Sequence, residues 1–144
     1  MKKFIKWTLS TTNYSALVST ALLFLRILVA AMMLTHGYGK LQLLTGEGPV
    51  QFADPIGLGA STSLILAVLA EFLCSILLIF GLGTRYAVIP MLVTMLVAAL
   101  VVHASDPFMR KELPLLYAGV LFFIGLVGPG SFSLDSLIVK KFFK

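Results

Sequence analysis

The chain has 144 residues, 59% of them hydrophobic and 12% charged, and a mean hydropathy of +1.03. Average soluble domains are about 45–50% apolar and about 25% charged, so a soluble enzyme, a nucleic-acid-binding protein and a secreted disulfide scaffold all fit poorly. Eleven Lys and Arg against six Asp and Glu leave a net charge of +5, which in so apolar a chain reads as a signal of membrane topology.

Four membrane spans need about 80 residues, so the length allows one membrane domain over residues 1–144 and no second fold. The single cysteine, Cys74, forms no disulfide within one chain and runs no two-thiol relay. That argues against the quinone-linked thiol oxidoreductases, which are also small four-helix membrane proteins.

At the start, Lys2, Lys3 and Lys6 alternate with Phe4, Ile5 and Trp7, a mixture suited to the membrane interface. The basic cluster resembles the head of a signal peptide. However, the apolar run begins only near Ala16, carries Arg26, and ends without a small-residue cleavage site. It is read as a retained first span, from about Ser19 to Thr35. Further apolar blocks follow at Thr62–Phe80, Tyr86–His103 and Leu113–Val127. Each is apolar nearly all round, as lipid-facing helices are.

The connections differ. A loop is expected from Gly37 to Ser61, where Gly46, Gly48, Pro49, Pro55, Gly57 and Gly59 punctuate the chain. Gly81-Leu82-Gly83-Thr84-Arg85 reads as a tight helical-hairpin turn; it lacks the Gly-Lys-Ser/Thr ending of a phosphate loop. Pro90 is placed to kink the third span. Ala104 to Glu112 reads as a short polar loop, and Pro114 suits a first helical turn. Gly128-Pro129-Gly130 stops the fourth span, and Ser133 is placed to cap a short interfacial helix that carries Lys140 and Lys141. The fold expected is an all-α, four-transmembrane-helix bundle with short interfacial segments at both termini.

Four spans put both termini on one side. That side carries Lys2, Lys3, Lys6, Arg85, Lys140, Lys141 and Lys144, and the other carries Lys40, Arg110 and Lys111. Both termini are therefore expected in the cytoplasm.

Arg26 and Glu71 lie at the middle of apolar blocks, where a charge costs about 2.5–3.5 kcal/mol on insertion scales. An Arg26–Glu71 ion pair would offset much of that cost. It would serve as a clamp on helix register or as a pocket for a quinone head group or an anion. His36, Lys40, His103, Asp106 and Glu112 are expected to gather on the outer face above the pair. His36 and Lys40 are four apart and would stack on a helix face, although Gly37 and Gly39 argue against helical continuation there. Axial haem ligation by the two histidines and a metal site with Asp106 or Glu112 are weak readings; hydrogen-bonded interfacial histidines suffice. No metal site and no catalytic residue is assigned. Cys74 reads as core packing.

In order and spacing these residues resemble the DoxX family of small four-helix bacterial membrane proteins. The matching stretches are Arg26, then His36-Gly37-Tyr38-Gly39-Lys40-Leu41, Glu71, Gly81-Leu82-Gly83-Thr84-Arg85, the stretch from Met95 to His103, Glu112, and Gly128-Pro129-Gly130-Ser131-Phe132-Ser133-Leu134-Asp135. The resemblance implies a multi-pass protein of the bacterial inner membrane. Its relatives include a subunit of a thiosulfate:quinone oxidoreductase and a membrane protein associated with superoxide- and thiol-detoxifying enzymes. It implies a subunit or accessory of a membrane redox complex, with quinone as the candidate ligand and redox subunits or detoxifying enzymes as candidate partners. The loop Glu47–Asp54 follows no pattern carried over from the family. The alternatives are a small solute or proton-coupled transporter and an assembly subunit without a ligand; a homo-oligomer is compatible with each. Oxidoreductase partners would have to supply the flavin, iron–sulfur or paired-thiol chemistry that no motif here provides.

Overall fold

The computed structural model describes residues 14–142, and no strand occurs among them. The basic and aromatic N-terminal segment lies outside the described residues. Five helices follow one another: α1 (Ala16–Thr45), α2 (Ala60–Phe80), α3 (Thr84–Val102), α4 (Phe108–Val127) and α5 (Leu134–Phe142). The first three are long and apolar enough to cross a membrane. Helix α4 spans 20 residues, about 30 Å at 1.5 Å per residue, but Arg110 and Lys111 lie in its first turn and Glu112 follows directly.

Two boundaries and the number of helices differ from expectation. Helix α1 does not end near Thr35 but runs unbroken through Gly37 and Gly39 to Thr45. The first connection therefore shrinks to 46–59. Helix α4 starts at Phe108, just after Pro107, so Pro114 and Glu112 lie inside a helix instead of at its entrance. A shorter loop between α3 and α4 results. The third difference is the count of helices: the short α5 is a helix of its own, begun as anticipated at Ser133, whose Oγ accepts from Ser136 N at 3.1 Å.

Val29, Ala30 and Met33 of α1 meet Leu78 of α2, Val88, Met91 and Met95 of α3, and Tyr117, Leu121 and Ile124 of α4 in one buried core. Large apolar side chains also cover the outside, among them Phe24, Ile89, Leu100, Phe122 and Leu126. An exterior as apolar as the core suits lipid, not water.

Two helical turns are widened. Over Leu69–Leu73 in α2 and Ala98–Val102 in α3 the backbone adopts π-type spacing, shown by His103 N donating to Ala98 O, five residues back, at 2.9 Å. Each wide turn adds a residue, rotates the helix face beyond it, and is common at functional sites. Glu71 sits within the first and His103 directly follows the second.

Candidate functional site

Arg26 and Glu71 are both buried, at 2% and 1% exposure, but they do not pair. Helices α1 and α2 run antiparallel, and Gly37 is the α1 residue that meets the backbone of Glu71 and Phe72. Arg26 lies eleven residues earlier, about 16 Å along the helix axis. The expected ion pair assumed that both residues sit at mid-span; the extension of α1 to Thr45 moves Arg26 toward the opposite end.

At that end Arg26 is held by backbone. Its guanidinium donates to the carbonyls of Pro129, of Phe132 at 2.8 Å and of Ile79 at 3.5 Å. Glycine and proline past the end of α4 leave the Pro129 and Phe132 carbonyls outside any helical ladder, and the Ile79 carbonyl lies in the last turn of α2, so a planar five-donor group can gather all three. Asp135 supplies the nearby countercharge and accepts from Gly83 N at 2.7 Å and Thr84 N at 2.9 Å. Gly83 is the N-cap of α3 and has no side chain to cap with, so a carboxylate from α5 does that work at the positive end of the helix. Gly81 completes the joint. Its φ is +64°, and a Cβ there would lie 2.6 Å from Ser133 Cβ and 2.9 Å from Arg26 Cζ. The joint is closed and structural.

The Glu71 end is open. Lys40 Nζ donates to Glu71 Oε1 in a tight ion pair. About one and a half turns of α1 beyond the expected end of the span deliver that lysine, with its side chain 27% exposed. Glu71 Oε2 is buried and has no hydrogen-bond partner among the described residues. Lys40 and Glu71 line a cavity of about 410 Å³ with His103, Phe52, Pro55, Pro90 and Thr94. That volume lies within the usual range for small-molecule sites, about 300–1,000 Å³. The walls are otherwise mostly aliphatic, and the Lys40 ammonium lies 5.9 Å from the Phe52 ring centroid.

The expected outer cluster is only partly assembled. His103 lines the cavity, and its Nδ1 is 2.8 Å from Asp106 Oδ2. Arg110 approaches the same carboxylate oxygen at 3.5 Å. The His103 hydrogen bond, then the charges of Arg110 and His103, hold the Asp106 carboxyl below the usual carboxylate range. Glu112 is exposed and outside the cavity lining. His36 is also outside it, edge-on to Tyr117 with ring centroids 6.4 Å apart. Among the described residues no three His, Cys, Asp or Glu side chains gather as a metal site.

Sequence reading missed the loop wall. Asp54 accepts from Leu58 N at 2.9 Å, Gly59 N at 2.7 Å and Ser63 Oγ at 2.7 Å. It thereby ties the loop to the start of α2 and sets Phe52 and Pro55 over the cavity. The Ser63 hydroxyl first, then the Gly59 amide, hold its carboxyl below the usual range. An Asp-Pro followed by spaced glycines was the available signal.

An all-helical chain with an apolar exterior and charged groups buried at two levels defines a small membrane protein. The chain belongs to the DoxX family, whose family model matches residues 21–104. It is 35% identical over 127 residues to an uncharacterized protein of Haemophilus influenzae, covering 83% of this chain and 92% of that one. It is 30% identical to the Escherichia coli "Inner membrane protein YqjF", with 81% and 90% covered. It is 29% identical to the Bacillus subtilis protein named "Putative oxidoreductase CatD", with 82% and 87% covered. No solved structure matches the chain.

Proposed function

We propose that this protein is a four-span DoxX subunit or accessory of a redox complex in the bacterial inner membrane, and that the Lys40–Glu71 cavity binds a quinone-type ring. The carrying observation is a buried carboxylate with one oxygen unpaired, beside an ammonium, at a cavity of about 410 Å³. Intramembrane ionisable groups of this kind mark ligand or proton paths. Arg26, the anchor that the sequence suggests for such a ligand, is committed to carbonyls elsewhere, and Lys40 takes that role. Lys40 can donate to a ring oxygen, Glu71 and His103 can hold or pass protons, and the apolar walls suit an aromatic ring. A partner, a redox subunit or a detoxifying enzyme, exchanges the electrons.

In this reading α4 is the fourth span and the termini face the cytoplasm. The count of seven basic residues against three supports that orientation, in which the cavity opens at the outer end. The oxidoreductase and inner-membrane names of two relatives agree with the reading.

The test is extraction of bound quinone from protein purified in mild detergent. Wild type is expected to retain it in either redox form, and Glu71→Gln to retain at least tenfold less at equal abundance. Equal retention by both, or none by either, would contradict the reading. Proton-coupled solute uptake in vesicles would favour a transporter, and loss of abundance alone an assembly subunit.

A further inference from the structure

We infer that the cavity selects the hydroxyl-bearing, reduced form of its ring: a hydroquinone in preference to the corresponding quinone. The inference rests on the proposed ring-binding role and names which chemical form the site is built for.

The hydrogen-bonding character of the cavity decides the matter. Glu71 in its ion pair with Lys40 is a carboxylate, and a carboxylate only accepts. Its Oε1 is satisfied by Lys40, while Oε2 is buried and unpaired. Leaving such an atom without a donor costs more than a hydrogen bond returns elsewhere. His103 adds a second acceptor. Asp106 Oδ2 lies 2.8 Å from Nδ1, which assigns a hydrogen to that nitrogen; in the uncharged form of the ring Nε2 then keeps a lone pair. Asp106 is thus a positioning residue, fixed in turn by Arg110 at 3.5 Å.

The two forms of one ring meet this site differently. A quinone carries two carbonyl oxygens, which accept and never donate; it can satisfy Lys40 and leaves Glu71 Oε2 unpaired. A hydroquinone of nearly the same size carries two hydroxyls, which donate and accept. One can donate to Glu71 Oε2 while the same oxygen accepts from Lys40. The other remains free to donate toward His103. Sites built to bond a hydroxyl reject analogues that lack it for this reason. Phe52 and Pro90 in the walls contact either form alike and contribute affinity without discrimination.

A charge-assisted hydrogen bond gained in a buried site corresponds to a preference of about tenfold or more. By linkage, a tenfold preference for the reduced form raises the two-electron potential of the bound pair by about 30 mV.

The experiment measures the affinity of full-length protein in detergent for 2,3-dimethoxy-5-methyl-1,4-benzoquinone and, under anaerobic conditions, for its hydroquinone. The hydroquinone is expected to bind at least about tenfold tighter. Glu71→Gln, which offers an amide in place of the carboxylate, should bring the ratio toward one, and Asp106→Asn should lower it less. Equal binding, or tighter binding of the quinone, overturns the inference and leaves the ring-binding reading standing. Binding of neither form overturns both. The wild-type ratio decides the question even if a variant fails to fold.

Discussion

The two buried charges of this small bundle are solved in opposite ways. At one end Arg26 donates to three backbone carbonyls, beside an Asp135 carboxylate that caps α3. At the other end Glu71 has one oxygen on Lys40 and one on nothing, beside a cavity. Both charges carry a similar cost of burial and each keeps one buried atom unpaired, Arg26 Nε and Glu71 Oε2, yet only Glu71 lines a cavity. A buried charge fully enclosed by the chain's own backbone holds a joint together; one left half-satisfied beside a cavity is available to a ligand.

If the Arg26 joint is structural, breaking it should cost folding and nothing specific. Arg26→Met leaves the Pro129 and Phe132 carbonyls without their donor and Asp135 without its countercharge. The expected loss is about 3–5 kcal/mol, read as little folded protein recovered from membranes, with any ring binding reduced only in step with abundance. A variant that folds normally and fails to bind would erase the distinction between the two ends.

A smaller effect separates the two glycines in the extended part of α1. A Cβ on Gly37 would lie 2.6 Å from the carbonyl carbon of Glu71 and from Phe72 N, whereas Gly39 has nothing within 4 Å. Gly37→Ala must force α1 and α2 apart at the ion pair, costing about 1–3 kcal/mol as overpacking does. Gly39→Ala should be neutral or stabilising by up to about 1 kcal/mol. Thermal unfolding in detergent measures both; equal effects would show that the close approach at Glu71 is absent.

These glycines also show where sequence reading stops. The apolar blocks, the Gly81-Leu82-Gly83 turn and the Ser133 cap were legible because periodicity, glycine and hydroxyl caps act locally. Gly37 and Gly39 read as helix breakers by the same local logic. In fact Gly37 is where two helix backbones meet, and that reason exists only in three dimensions. The error then propagated. A helix α1 that ends near Thr35 puts Arg26 at the level of Glu71 and Lys40 in a loop. Composition revealed that Arg26 and Glu71 were unusual; it carried no information on their relative height, which the ends of both helices set. His103 and Asp106 meet because they flank one short connection. Glu112 stands apart from them because α4 begins at Phe108, not at Leu113.

The mildest effect concerns the loop wall. The Asp54 carboxyl is held below the usual range by Ser63 Oγ and the Gly59 amide. A depressed carboxylate contributes stability above its ordinary value of about 3.9 and loses it as pH falls through its lower folded value. Hydrogen exchange at Leu58 and Gly59 should therefore show protection, corrected for intrinsic rates, unchanged from pH 7 to 5 and decreasing below about pH 4. Asp54→Asn should lower that protection severalfold at pH 7 and abolish its acid dependence. Unaltered protection in the variant would mean that Asp54 does not hold the loop.

The pairing of Glu71 is the point on which both ends depend, and a double-mutant cycle on unfolding free energy measures it directly. Lys40→Met and Glu71→Gln, alone and together, should be coupled by about 0.5–3 kcal/mol, as contacting residues are. Glu71→Gln combined with the conservative Arg26→Lys should be additive within about 0.5 kcal/mol, because those sites share no partner. Coupling between Arg26 and Glu71 with additivity between Lys40 and Glu71 would contradict the account.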